Sequence, residues 1–283
     1  MERKMRQWML MGFCVLAITG CANSTSKTEM ESGLKTVAPS TKLSANAADH
    51  TAVPDYQKAA LINVELGLGY LQQGQVARAK MKLAHAIKLA SNISETHTAM
   101  AYFLEMIGEY KDAEREHKKS LAMSGKNSSS KGAIYNNYGA FLCRRDRFKE
   151  ADQAFHQALL DKEYARTAEV YENAGLCAIK SRDEDKAAEY LTTSLRRDPG
   201  RANALLALVD LDLKQGKLTE ARDLLGRYKT IAEPSARSLW LGILVGKALK
   251  DDNTVASQAL LLKNLFSDSP EYQLYLKSEN NQT

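Results

Sequence analysis

The chain contains few residues that interrupt helices. Among its 283 residues there are only five prolines and sixteen glycines, whereas Ala, Leu, Lys, Glu and Gln are plentiful. Proline and glycine are the least favourable residues in a helix interior, and the plentiful residues are among the most favourable. No run of alternating β-branched residues competes with this pattern. The composition therefore argues against a sheet and predicts an all-α fold.

The motifs of common catalytic and metal sites are also missing. The five histidines form no HExxH arrangement and do not lie at zinc-ligand spacing from cysteines. There is no GxSxG elbow and no Walker-type lysine. The glycines near Gly67 lie inside a predicted helix, not between a strand and a helix. We expect neither an enzyme nor a bound metal or cofactor, and we interpret His117 as a buried, hydrogen-bonded packing residue.

Strong net charge and long apolar runs are both absent. The formal charge is +5 from 39 basic and 34 acidic residues, and without residues 1–20 these totals become 36 and 33. This excess is too small to predict a nucleic-acid or polybasic membrane surface. The longest apolar stretch near the N-terminus, from Trp8 to Ile18, has eleven residues. It is too short to span a bilayer but has the length of a signal-peptide core.

The N-terminal segment has the three parts of a lipoprotein signal. Basic residues come first, the apolar stretch follows, and the segment ends in Ile18-Thr-Gly-Cys21, which resembles the bacterial lipobox. Residues 1–20 are therefore predicted to be cleaved, and Cys21 is predicted to be acylated. The alternative is a soluble secreted protein with a chance cysteine. The residue after Cys21 is Ala22, and the resemblance to Gram-negative lipoproteins then implies the periplasmic face of the outer membrane.

The next segment, up to residue 55, is predicted to be a flexible tether. It is rich in Ser, Thr, Ala and Lys and has no aromatic residue. Such a segment buries too little surface to offset its ordering entropy. Its 34 residues have a root-mean-square span of about 30–35 Å.

From Tyr56 onwards, similar residues recur with a period close to 34. In the first unit Gly67, Tyr70, Ala79 and Leu83 stand at the positions expected in a tetratricopeptide repeat, which this segment resembles. One helical hairpin cannot bury its apolar stripe alone, so hairpins have to stack. We predict a right-handed superhelical solenoid of about six hairpins over 56–277, followed by a disordered tail at 278–283. The predicted repeats span about 60–93, 94–127, 132–165, 168–201 and 202–235, with a degenerate one at 236–270.

The first helices of such repeats line a concave groove, and this groove is the predicted protein-binding site. It is expected to be apolar and exposed at its N-terminal end and polar further on. A segment near Val53 folding back over it is the alternative. The predicted groove residues are Leu61, Val64, Leu68, Leu71, Tyr102, Glu105, Met106, Asn136, Arg144 and Glu172.

Two cysteines remain in the repeat region, Cys143 and Cys177. They lie in the first helices of consecutive repeats, which run side by side in this fold. Their Cα atoms could therefore meet the roughly 4.4–6.8 Å that a disulfide requires. An even pair in an exported protein favours a disulfide, and two free thiols are the alternative.

Two segments suggest a particular family. YNNYGAFLC, ending at Cys143, and VYENAGLC, ending at Cys177, resemble the third- and fourth-repeat signatures of the type IV pilus biogenesis lipoproteins of the PilF/PilW family. The resemblance extends from about Ala59 to Tyr275, and the lipobox at Cys21 fits it. It implies a pilotin, which binds subunits of the outer-membrane secretin and helps them to localise and multimerise.

Two other functions remain open for a tetratricopeptide lipoprotein. One is a scaffold for outer-membrane protein assembly, and the other is a regulator that docks peptidoglycan-modifying enzymes. The residues flanking the glycines in the two signature segments favour the pilotin, because a generic repeat requires the glycines but not their neighbours.

Overall fold

The computed structural model describes residues 55–124 and 131–280. The predicted signal peptide, Cys21 and the tether up to residue 54 lie outside the described residues. The described part contains thirteen α-helices and no strand, in agreement with the predicted all-α fold. In chain order the helices are α1 (Tyr56–Gln72), α2 (Val76–Leu89), α3 (Ser94–Met106), α4 (Tyr110–Met123), α5 (Lys131–Arg144), α6 (Phe148–Leu160), α7 (Thr167–Lys180), α8 (Glu184–Arg197), α9 (Ala202–Lys214), α10 (Leu218–Ile231), α11 (Ala236–Leu249), α12 (Asp252–Leu265) and α13 (Pro270–Asn280).

Helix α8 shows how the local sequence sets a helix. The side chain of Asp183 caps its N-terminus by accepting a hydrogen bond from the backbone N–H of Lys186 at 3.2 Å. Arg196 and Arg197 lie in the last turn, where positive charge complements the helix dipole. The buried residues recur every three or four positions and form one apolar stripe.

Consecutive helices pair, and the pairs form a curved row. α1 packs on α2, α3 on α4, and so on to α11 and α12. Each odd-numbered helix from α1 to α11 also contacts the next odd-numbered helix, whereas no two even-numbered helices of the described residues touch. The odd-numbered helices are therefore closer together and form the inner, concave side of the row.

The C-terminal end differs from the prediction. The last helix, α13, packs on α11 and α12 and continues to Asn280, so the predicted disordered tail from residue 278 is wrong for its first three residues. The reason is a polar contact with α11. Lys247 Nζ donates to Ser278 Oγ at 3.2 Å and to Glu279 Oε1 at 2.6 Å, and these contacts fix the last turn.

Glycines allow the two helices of a hairpin to approach closely. A Cβ atom built on Gly67 would lie 2.6 Å from Leu83 Cγ, and one on Gly139 would lie 2.8 Å from the Phe155 ring. Gly175 makes the same approach to Leu191, with Cγ at 2.6 Å. The large side chains therefore occupy the space that a glycine leaves, as expected from the repeat pattern.

The second hairpin carries a buried polar layer. Thr98 Oγ1 and Ser120 Oγ are 2.7 Å apart, and Ser120 Oγ donates to the carbonyl oxygen of Ser94 at 2.9 Å. His97 Nδ1 lies 2.6 Å from Glu116 Oε2. These groups are buried, and their mutual hydrogen bonds offset the cost of removing them from water.

The glycine contacts predict opposite effects for two Gly→Ala substitutions. Gly175→Ala places a methyl group against the buried Leu191, and overpacking of this kind costs about 1–3 kcal/mol. Gly226→Ala is the matched control, because a Cβ there meets nothing within 4 Å on an exposed face of α10. We expect it to stabilise the protein by about 0.5–1 kcal/mol through helix propensity. Urea unfolding of both variants measures the difference, and equal stabilities would contradict the close contact.

Candidate partner-binding groove

The apolar end of the predicted groove is only partly open. Leu61, Leu71 and Tyr102 are partly exposed, and Met106 is 58% exposed. Val64 and Leu68 were also predicted to be exposed at this end of the groove. This prediction is wrong, because both side chains are buried, at 0% and 8% exposure. They pack in the apolar cluster that joins the first two hairpins, since α3 lies directly against α1.

The polar part of the predicted groove is mostly occupied by contacts between hairpins. Glu105 on α3 is buried and accepts two hydrogen bonds from Arg144 on α5, from Nε at 2.5 Å and from Nη2 at 2.7 Å. A bidentate pair of this kind is stronger and more directional than a single contact. Glu105 therefore holds two hairpins together and is not open to a partner, contrary to the prediction.

Asn136 and Glu172 were also predicted as groove contacts, and both are buried instead, at 0% and 1%. Asn136 on α5 accepts a hydrogen bond from the side-chain amide of Asn173 on α7 at 3.1 Å. Glu172 forms a salt bridge with Arg201, which immediately precedes α9. Each of these contacts joins one odd-numbered helix to the next.

Lys180 adds a contact of the same kind that the sequence analysis did not identify. Its Nζ lies 2.9 Å from Asp146 Oδ1 and donates to the carbonyl oxygen of Arg144 at 3.1 Å. These pairs are separated by about one repeat length in sequence, 39 residues for Glu105 and Arg144 and 37 for Asn136 and Asn173. Complementary polar residues one repeat apart were a signal that could have been read from the sequence.

A disulfide joins the same two helices. Cys143 on α5 and Cys177 on α7 are bonded, with their Cα atoms 5.8 Å apart, and both are buried. The bond closes a loop with a sequence separation of 34, one repeat. The middle of the inner row is thus fixed by one covalent bond and several polar contacts. Leu61, Leu71, Tyr102 and Met106 remain as the accessible apolar part of the predicted groove, and Arg144 is also partly exposed although it is paired with Glu105.

His117 lies behind this row and is buried as predicted. The centroid of its ring lies 5.1 Å from that of Phe141 and 5.5 Å from that of Tyr138, and both pairs of rings are tilted. The predicted hydrogen bond is wrong, because neither ring nitrogen has a partner among the described residues. Burial lowers the pKa of His117 to about 3, and the positive charge of Arg144 acts in the same direction. The imidazole is therefore neutral at physiological pH.

The described residues contain no group of three or more His, Cys, Asp or Glu side chains placed to hold a metal ion. None of the described helices combines the length and the apolar character needed to cross a bilayer.

The paired helices and the inner row define a tetratricopeptide-repeat protein, a class that binds protein partners. The tetratricopeptide-repeat family model matches residues 178–237. PilF of Pseudomonas aeruginosa, a type IV pilus assembly protein, is 35% identical over 210 residues, which cover 74% of this chain and 82% of PilF. An uncharacterised protein of Haemophilus influenzae is 32% identical over 154 residues, covering 54% of this chain and 84% of that protein.

Solved structures agree with the sequence comparison. The structure of Pseudomonas aeruginosa PilF has a TM-score of 0.67 and 33% identity, and the match covers 80% of this chain and 100% of that one. PilW, a widely conserved type IV pilus biogenesis factor, has a TM-score of 0.67 and 25% identity, with 77% and 98% covered. The chain belongs to the PilF/PilW family of tetratricopeptide proteins of type IV pilus biogenesis.

Reduction of the disulfide has a predicted effect on mass and stability. The intact purified protein is expected to gain about two daltons on treatment with reductant. Its free energy of unfolding is expected to fall by about 2–4 kcal/mol, because the cross-link restricts the unfolded chain. Intact mass spectrometry and urea unfolding with and without reductant measure both quantities. An unchanged mass would mean that Cys143 and Cys177 are free thiols.

The buried His117 predicts a loss of stability in acid. The unfolded histidine takes up a proton below about pH 6.5, whereas the folded one resists protonation down to about pH 3. Stability is therefore fully present above pH 6.5 and falls as the pH drops, by roughly 2 kcal/mol between about pH 7 and pH 5. His117→Leu should lose this part of the pH dependence, and His85→Leu, at an exposed histidine, should retain it. If the free energy of unfolding of the two variants, measured with urea, had the same pH dependence, this would contradict a neutral, buried His117.

Proposed function

We propose that this protein is an outer-membrane lipoprotein pilotin for type IV pili, which binds secretin subunits through the inner groove and promotes their localisation and multimerisation. Support comes from membership of the PilF/PilW family over most of the described chain. The lipobox-like sequence ending at Cys21 supports the membrane anchor. The proposed place is the periplasmic face of the outer membrane.

The observation that carries the proposal is the accessible apolar strip on the first two hairpins. We define this strip as Leu61, Leu71, Tyr102 and Met106. All four lie on α1 and α3, the first two helices of the inner row, and none is fully buried. An accessible apolar strip in a concave surface suits an amphipathic helix or an apolar peptide of the client.

The polar contacts further along the row contribute by holding the groove in shape. The Glu105–Arg144 pair joins the second hairpin to the third, and the disulfide joins the third to the fourth. A groove that is already ordered loses little conformational entropy when it binds. The client then needs only a modest contact area for useful affinity, and the acyl chains on Cys21 supply attachment to the bilayer independently.

A strain carrying strip variants tests this function. Leu71→Glu and Met106→Glu each place a charge in the apolar strip, so we expect at least about a tenfold loss of secretin capture, together with fewer secretin multimers, pili and twitching motility. Leu160→Glu is the matched control, because Leu160 is 70% exposed on the outer helix α6. Capture is measured by pull-down from solubilised membranes, and helical content by circular dichroism.

The same strain background tests the anchor. Cys21→Ser should release the protein from the membrane fraction and leave secretin subunits unassembled, with strip binding intact in the pull-down. Normal secretin multimers in the strip variants would contradict the proposed groove. Loss of general porins or altered cell shape with normal pili would favour one of the other scaffold functions.

A further inference from the structure

The first hairpin has a charge that the whole-chain average conceals. Between residues 56 and 89 there are five basic side chains and one acidic side chain. Four of the basic residues, Arg78, Lys80, Lys82 and Lys88, lie on α2, which contains no acidic residue. The small net charge of the chain therefore does not describe this end of the molecule.

Neighbouring groups do not neutralise the charge on α2. Among the described residues, no carboxylate lies within salt-bridge distance of Lys80, Lys82 or Lys88. Helix α4 is the useful comparison, because three of its four basic residues are paired within the helix, for example Lys118 with Glu114 at 2.8 Å and Lys119 with Glu116 at 2.7 Å. The positive charge of α2 is thus available to an external anion.

Apolar side chains are exposed at the same end. Ile62 and Leu66 on α1 are 40% and 44% exposed, and Val76 at the start of α2 is 44% exposed. The equivalent repeat positions of Ile62 and Leu66 in the fourth hairpin, Val170 and Ala174, are buried. These positions contact the preceding hairpin in the interior of the row, and no described hairpin precedes the first one.

The outward side of α2 is also exposed. Ala77, Met81, Ala84 and Lys88 recur at helical spacing and share one face, and Met81 is 63% exposed. All four are exposed, and Lys80 borders them. This face is weakly apolar and bordered by positive charge, and helices that lie at a membrane interface likewise combine apolar and basic side chains.

We propose that the N-terminal end of the row, formed by α2 with Ile62 and Leu66 of α1, docks on the surface of an anionic phospholipid bilayer. Positive charge on α2 complements lipid phosphates, and each lysine near an anionic surface adds to the attraction. The exposed apolar side chains enter the headgroup boundary to a shallow depth. The position of the chain supports this occupant, because α1 begins only 35 residues after Cys21.

The proposed acyl anchor strengthens this contact but is not its basis. A tether with a root-mean-square span of about 30–35 Å keeps the first hairpin at high effective concentration beside the bilayer; this step rests on the proposed function, whereas the charge and exposure of α2 do not. Docking by α2 places Leu61 and Leu71, which belong to the same hairpin, next to the membrane. A client would then be held where it has to insert.

Lysine labelling on vesicles tests the docking. The full-length protein is mixed with phosphatidylcholine vesicles that contain or lack phosphatidylglycerol, and a limiting amine-acetylating reagent is followed by peptide mass spectrometry. We expect Lys82 and Lys88 to react at least about threefold more slowly with the anionic vesicles, and less so at high salt. Lys229 and Lys263 are exposed on α10 and α12 and should react at the same rate with both.

Charge-reversal variants give the matched control. Arg78→Glu with Lys88→Glu should abolish the protection of Lys82, whereas Lys229→Glu with Lys263→Glu should leave it unchanged. Equal labelling of α2 with both vesicle types would overturn the proposal, as would equal protection of Lys229, which indicates general adsorption. Protection produced by the solubilised secretin without lipid would identify a protein partner instead. Normal secretin multimers together with no vesicle protection would refute only the docking. Loss of client capture by correctly folded strip variants would not affect the docking proposal.

Discussion

The rest of the structure depends on the close approach of the two helices within each hairpin. Where a glycine of one helix faces Leu83, Phe155 or Leu191 of the other, the axes approach so closely that a single added methyl group has no room. The approach buries one stripe of each helix, but the other apolar residues of the hairpin stay uncovered until a neighbour packs against them. Stability therefore comes from contacts between hairpins. Among the described helices only the first hairpin lacks a neighbour on one side, because α13 packs on the last one.

The same requirement limits where a partner can bind. In the interior of the row, each inner helix lies against the next, and the side chains between them are either apolar and buried or paired, as in Glu105–Arg144 and Asn136–Asn173. Breaking such a buried pair leaves an uncompensated polar group, which costs more than the pair contributes. The interior is thus suited to holding a fixed shape, whereas accessible apolar surface remains near the first two hairpins.

Much of the fold could be predicted from the sequence, because it follows from local rules. Glycines and large residues at a fixed spacing indicated the hairpins, and the position of Cys143 one repeat before Cys177 indicated adjacent helices. The groove could be predicted only in part. The repeat frame gives the direction of a side chain, but the distance between neighbouring helices decides whether that side chain is exposed, and this distance placed Val64, Leu68 and Glu172 in the interior. His117 shows the same limit, since its burial was readable and the lack of a hydrogen-bond partner was not.

Charge distribution leads to the last step of synthesis. A small net charge suggested no membrane surface, yet the average conceals that the first hairpin has a larger basic excess than any later hairpin. The hairpin that lacks a preceding neighbour is also the one nearest to Cys21 in sequence and the one that carries Leu61 and Leu71. No described hairpin packs against its exposed end, so the apolar and basic side chains there are available to bind an external surface. The proposed anchor, the proposed docking face and the proposed groove then share one short region, and the contacts between the remaining hairpins hold the rest of the row in a fixed shape.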